Sequence, residues 1–194
     1  MSKQNILNQL NESMSVLSKL TSNSDSIEII NNIASQFVNT IQSGNKILIA
    51  GNGGSASDSQ HIAGELVGRF NYDRPGIAAF SLNTDTTIIT AVGNDYGYEN
   101  IFSRQVQAVG SSGDIFLGIS TSGTSPNIVN AFKEAKKKKM INIGFCGLKV
   151  GNFDECCDLV FRSPSKDTPK IQEIHIMVAH TICSIVETTL FPKK

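Results

Sequence analysis

In Lys46-Ile47-Leu48-Ile49-Ala50-Gly51-Asn52-Gly53-Gly54-Ser55-Ala56-Ser57 an apolar run of strand length passes straight into a loop of small residues. The continuation Asp58-Ser59-Gln60-His61-Ile62-Ala63-Gly64-Glu65-Leu66 reads as a helix. A second stretch repeats the plan: Ile115-Phe116-Leu117-Gly118-Ile119, then Ser120-Thr121-Ser122-Gly123-Thr124-Ser125, then a helical pattern from Pro126. A strand, a small-residue loop and a helix start make an anion site, because free backbone N–H groups and the helix dipole both face the ligand. Outward from these two loops, strand-like runs recur at Ile47–Ala50, Ile77–Ser81, Ile115–Ile119, Ile141–Phe145 and Asp158–Phe161. Helical patterns over Glu99–Gly110, Pro126–Lys139 and Thr168–Leu190 separate or follow them. Continuous apolar strands alternating with helices predict an α/β fold, a five-stranded parallel sheet covered on both faces. Ligands in such sheets bind beyond the carboxyl ends of the strands, where both loops lie.

Two further helices precede the sheet. Ile6, Leu10, Met14, Leu17 and Leu20 recur at helical spacing, as do Ile27, Ile30, Ala34, Phe37 and Ile41 before Gly44. The chain is expected to be one domain over residues 1–194, with residues 1–44 a helical segment for oligomer packing. The net charge of zero and 18% charged residues give no surplus for nucleic acid or an anionic membrane. The apolar runs fall far short of the ~20 residues that span a bilayer. Cys146, Cys156, Cys157 and Cys183 form no C-x-x-C pair and read as free thiols in a reducing cytoplasm. The run Lys136–Lys139 reads as the solvated, dipole-compatible end of a helix rather than a nucleic-acid patch.

The first loop lacks the Gly-Lys-Ser/Thr of a Walker loop. Gly51-x-Gly53-x-x-Ala56 does fit a dinucleotide fingerprint, but the nearest acid after the next strand is Asp85, too far along to hold a ribose. Either loop alone reads equally well as a tight turn without a ligand. In the second, Ser125 and Pro126 suit an N-cap and first helical residue, which leaves Ser120, Thr121, Ser122 and Thr124 without a structural reason. Neutral hydroxyl and amide donors can hold a phosphate dianion at a helix N-terminus.

The residues resemble a known family. Gly51–Ala56 with Ser120–Ser125 looks like a sugar-isomerase (SIS) domain. His61-Ile62-Ala63-Gly64-Glu65-Leu66-Val67-Gly68-Arg69-Phe70, Ala91–Tyr98, Phe102-Ser103-Arg104-Gln105 and Ile171-Gln172-Glu173-Ile174-His175 with His180 narrow the resemblance to the phosphoheptose isomerases. The resemblance implies interconversion of sedoheptulose 7-phosphate and D-glycero-D-manno-heptose 7-phosphate, the entry to ADP-heptose for bacterial surface polysaccharide. It implies a cytoplasmic homotetramer with sites at subunit interfaces, and one zinc per subunit held by His61, Glu65, Gln172 and His180. Implied substrate contacts are Asn52, Gly53, Gly54, Glu65, Asn94, Asp95, Ser120, Thr121, Ser122, Ser125 and Gln172, with Ser55 and Arg69 as further candidates. The competing reading is a non-catalytic tetrameric scaffold or sugar-phosphate sensor, which has no reason to keep the four metal-type residues.

The chemistry agrees from below. Moving a carbonyl between C1 and C2 needs a base, an acid and stabilisation of negative oxygen. Glu65 is the expected base and His180 the expected acid. His61 and Glu65, at i and i+4, share a helix face, although spacing alone favours an ordinary exposed pair. Gln172 and His180 are eight apart, ~12 Å of helical rise, so one ligand is expected from a neighbouring chain. His175 has easier spacing to Gln172 than His180 has. Arg69 reads equally as a phosphate partner and a surface ion pair. Asp95 sits in Gly93-Asn94-Asp95-Tyr96-Gly97, which reads as a turn or a sugar contact.

Overall fold

The computed structural model describes residues 2–149 and 151–193. Two N-terminal helices, α1 (Lys3–Thr21) and α2 (Ser24–Gln42), precede β1 (Ile47–Gly51) and α3 (Gly54–Val67). Then come β2 (Ala79–Ser81), α4 (Thr86–Tyr96), a 3-10 turn, α5 (Ile101–Val109), β3 (Ile115–Ile119) and α6 (Pro126–Lys137). The chain closes with β4 (Ile141–Cys146), the single turn α7 (Phe153–Cys156), β5 (Leu159–Arg162) and α8 (Thr168–Leu190).

The sheet order is β2-β1-β3-β4-β5, and every pairing is parallel. Alternation along each strand feeds two cores. Ile47, Ile49, Ile115, Leu117, Ile143 and Phe145 pack with α2, α3 and α8, whereas Leu48, Ala50 and Phe116 pack with α5, α6 and Phe153. Burial on both faces explains why these strands are unbroken apolar runs.

From β1 the chain winds one way to β2 and the other way to β3, β4 and β5. The winding reverses between β1 and β3, where Gly51 pairs with Ile119, so the β1–α3 and β3–α6 loops diverge above a crevice. That crevice is the topological switch point of the fold.

The N-terminal segment divides into two environments. Helix α2 buries Ile30, Ile33, Ala34, Phe37 and Val38 in the core. Helix α1 buries only Val16 and Leu20 and leaves Ile6, Leu7, Leu10 and Met14 more than half exposed. The sequence reading missed α4, which places Asn94 and Asp95 on its last turn rather than in a loop. It also missed α7. The lysine run ends α6, with Lys137 paired to Glu134 and Lys138 donating to the Gly110 carbonyl. Among the described residues no helix is long and apolar enough to cross a membrane.

Candidate active site

Three helix N-termini meet at the crevice. Helices α1, α2 and α4 are capped by the side chains of Ser2, Asn23 and Asp85, but α3, α5, α6, α7 and α8 have no side-chain cap bond. Of these, α3, α6 and α8 start at the site, where their free backbone N–H groups can serve a ligand. They surround a cavity of about 280 Å³ lined by Asn52, Gly53, Gly54, Ser55, Ser120, Thr121, Ser122, Ser125, Thr168 and Gln172. The lining carries no charged side chain; Lys149 and Lys166 line the adjoining cleft, which shares Thr121, Ser122 and Thr168.

Ser125 takes the N-cap position of α6 without capping it. Its Oγ lies 2.8 Å from Ser120 Oγ, which is 3.2 Å from Ser122 Oγ. The hydroxyls thus cluster with one another instead of closing the helix end, which corrects the capping role expected of Ser125. Loop β1–α3 is braced by residues that the sequence did not single out. Asn52 and Asn127 exchange amide bonds of 2.9 and 2.8 Å, and Tyr98 Oη donates to Asn52 Oδ1. Asn83 bonds both the N–H and the carbonyl of Gly51. The Asn52 side chain is therefore engaged, while Asn52, Gly53 and Gly54 line the cavity.

Two turns along α3, His61 and Glu65 meet His180 of α8. His61 Nε2 lies 3.0 Å from Glu65 Oε1 and 3.2 Å from His180 Nε2, and the three donor atoms lie within 4.8 Å of one another. One imidazole nitrogen carries either a proton or a lone pair. As a donor, His61 Nε2 splits one hydrogen between two acceptors; as an acceptor, it sets its lone pair against a carboxylate oxygen. A cation resolves this conflict, since all three atoms then point lone pairs at it. Separations of 3.0 and 3.2 Å, with all three donor atoms within 4.8 Å of one another, are short enough for these residues to share one metal ion. His180 also packs against the Phe70 ring, with centroids 5.5 Å apart.

The other sequence candidates scatter around this centre. Gln172 lies on regular helix in the cavity, where a Cβ on Gly54 would fall 2.5 Å from its Nε2. It is eight residues and ~12 Å of rise from His180. His175 is buried beside Phe145 and Phe161, its Nε2 3.1 Å from the Cys146 carbonyl. Burial pushes its pKa down to about 4, and it belongs to the core. Arg69 is exposed beyond the C-terminal end of α3, the end opposite Gly54. Asn94 and Asp95 are exposed on α4, with the Asn94 amide donating to Asp95 Oδ1 at 2.8 Å. Asp58, which the sequence reading passed over, has a buried Oδ2 without a partner. Burial pushes its pKa up to about 6, against the attraction of His61.

The SIS-domain family model matches residues 10–147, and the chain belongs to the SIS-domain family. It is 50% identical over 189 residues to a phosphoheptose isomerase of Burkholderia pseudomallei, covering 97% of this chain and 96% of that one. Phosphoheptose isomerase 2 of Campylobacter jejuni is 52% identical over 182 residues, with 94% and 90% covered. The structure of a phosphoheptose isomerase from Francisella tularensis superimposes with a TM-score of 0.91 at 34% identity, covering 97% and 100%. Within the SIS domains, the chain belongs to the phosphoheptose isomerase family.

Proposed function

We infer that this chain is an aldose–ketose isomerase that interconverts sedoheptulose 7-phosphate and D-glycero-D-manno-heptose 7-phosphate, the step that supplies heptose for surface polysaccharide. The supporting observation is the relation of its two half-sites. His61 sits seven residues from Gly54 on the same helix, ~10 Å of rise. An extended seven-carbon chain with its ester oxygen covers ~9 Å at ~1.5 Å per C–C bond. A phosphate at the three helix N-termini thus brings C1 and C2 to the His61–Glu65–His180 cluster.

The uncapped N–H groups of α3, α6 and α8, with the hydroxyls of Ser120, Thr121, Ser122 and Ser125, hold the phosphate. Ser55 and Gln172 line the same cavity. The Glu65 carboxylate takes the proton from C1, and the C–H electron pair becomes the C1=C2 bond of an enediol. The former C2 carbonyl oxygen takes a proton from Nδ1 of His180, because its Nε2 faces the cluster. Return of a proton to C2 and loss of the C1 hydroxyl proton complete the aldose. His61, Glu65 and His180 would hold a divalent cation, zinc by donor type, with Gln172 of a neighbouring subunit as the fourth ligand. When bound, it would supply Lewis-acid polarisation of the carbonyl oxygen. Glu65 would then hold the cation with one oxygen and leave the other for the C1 proton.

The exposed stripe Ile6, Leu7, Leu10 and Met14 supports a homotetramer packed through α1. The separation of Gln172 from His180 supports a site completed by a neighbouring subunit, where Arg69, Asn94 and Asp95 reach substrate. The four free thiols suit a cytoplasmic enzyme. A scaffold has no use for the clustered imidazoles and carboxylate. Incubating the purified protein with sedoheptulose 7-phosphate, with and without a chelator, and following the aldose phosphate by NMR tests the reading. Product that vanishes with the chelator supports it, and no product with zinc supplied refutes it.

A further inference from the structure

We propose that Arg74 and Glu187 form a clamp that sets the spacing of the two helices bearing the His61–Glu65–His180 cluster, and so tune its hold on a divalent cation. The inference rests on the function proposed above, because it concerns the same site. Arg74 and Glu187 are an ion pair with side chains only 2% and 1% exposed, joined from Nε to Oε1 at 3.1 Å. Neither bonds to the side-chain donor atoms of the cluster.

The guanidinium spends its other donors on the end of α3. Arg74 Nη2 donates to the Glu65 carbonyl at 2.8 Å, and Nη1 donates to Leu66 at 2.6 Å and Gly68 at 3.2 Å. The last carbonyls of a helix lack intrahelical partners, and a cation there also suits the dipole. Arg74 thus caps the helix of His61 and Glu65 through the main chain of Glu65 itself. Glu187 holds the other side. It lies on α8 seven residues after His180, two turns on the same face. Its Oε1 accepts from Phe70 N at 2.8 Å and its Oε2 from Asn71 N at 2.6 Å. Those bonds fix the segment whose Phe70 ring packs against His180.

One buried pair therefore ties the backbone of one ligand-bearing helix to the other, and anchors the ring beside the third ligand. Lysine cannot replace this arrangement, since a point-charge ammonium lacks the planar fork that reaches Glu187 and several carbonyls together. Outer partners that orient metal ligands are typically worth 10–100-fold in metal affinity or activity.

Arg74→Lys tests the clamp, with cobalt(II) as the probe ion. Three quantities are read: cobalt affinity by competition with a chelator, the visible absorption of the bound cobalt, and the melting temperature of metal-free protein. Arg74→Lys is expected to weaken cobalt binding ~10- to 100-fold, to alter the absorption, and to lower kcat more than it raises KM. Wild-type affinity and absorption in Arg74→Lys, even with a lower metal-free melting temperature, would reduce the pair to a structural role and overturn the proposal. If Arg74→Lys does not fold, Glu187→Gln serves. It keeps the side-chain length, removes the charge that faces Arg74 and the Phe70 and Asn71 N–H groups, and is expected to weaken cobalt binding several-fold; unchanged cobalt affinity and absorption overturn the proposal. Wild-type protein that takes up no cobalt would defeat the metal reading and the clamp with it. Tight wild-type binding with Arg74→Lys indistinguishable from it defeats the clamp alone.

Discussion

A methyl group on Gly54 should separate activity from stability. Its Cβ would lie 2.5 Å from Gln172 Nε2 and 2.9 Å from Gln172 Cδ. Both atoms belong to the free end of a flexible side chain, which can swing away while the backbone stays. Gly54 is the first residue of α3 and has no positive φ, so alanine fits and even gains up to ~1 kcal/mol of helix preference. The loss falls on function. A hydrogen bond to a charged group is worth ~1.5–3 kcal/mol. At ~1.4 kcal/mol per factor of ten, displacing Gln172 from phosphate or cation lowers kcat/KM roughly 10- to 150-fold. Gly53→Ala is the control. Gly53 has φ +55° with nothing within 4 Å of a built Cβ. Alanine there brings backbone strain of ~1–3 kcal/mol, a melting temperature lower by ~2–12 °C, and no collision with Gln172. The assay pairs thermal melts with isomerase kinetics on sedoheptulose 7-phosphate. Full activity in Gly54→Ala, or a melting-temperature loss as large as that of Gly53→Ala, would refute the reasoning.

Further outcomes follow from the same geometry. His180→Gln should abolish turnover with an unchanged melting temperature, because His180 is half-buried at the cluster rather than in the core; retained turnover would remove it as the acid. Ser120→Ala removes the hydroxyl shared with Ser122 and Ser125 and should raise KM about tenfold with little change in kcat, read by initial rates. Stripping the protein with a chelator should lower both activity and melting temperature, and zinc should restore both. His175, at about 4 against an ordinary 6.5, binds its proton more weakly folded than unfolded. Its contribution is complete above pH 6.5 and is lost as pH falls toward 4, roughly 3 kcal/mol in all. Urea titrations of His175→Phe between pH 4 and 7 should therefore show a flatter pH dependence than wild type.

The sheet was legible because strands buried on both faces must be continuously apolar, and all five runs lie within a residue or two of the observed strands. Helix α4 was obscured by its own chemistry. Thr86, Thr87, Ile88, Ile89, Thr90 and Val92 are β-branched, and Asn94-Asp95 next to Gly97 looks like a turn. Its usable signal was Asp85, whose carboxylate accepts from Ile88 N at 2.9 Å. The pairing of His61 with Glu65 follows from helical spacing, but the approach of His180, 119 residues away, needs the packing of α3 on α8. The choice between His175 and His180 follows the same logic. His175 turns into the core and His180 toward α3, a difference of helix face that spacing to Gln172 does not show. Arg74 and Glu187 were invisible for a similar reason, since single charged residues 113 positions apart carry no local pattern.

A crystal structure of the wild-type protein with sedoheptulose 7-phosphate measures the spatial relation on which the mechanism depends. The account predicts the phosphate among Gly53, Gly54, Ser120 and Ser125, and the C1–C2 end beside Glu65 and His180. A phosphate bound elsewhere, or a carbonyl end directed away from those two side chains, would contradict it.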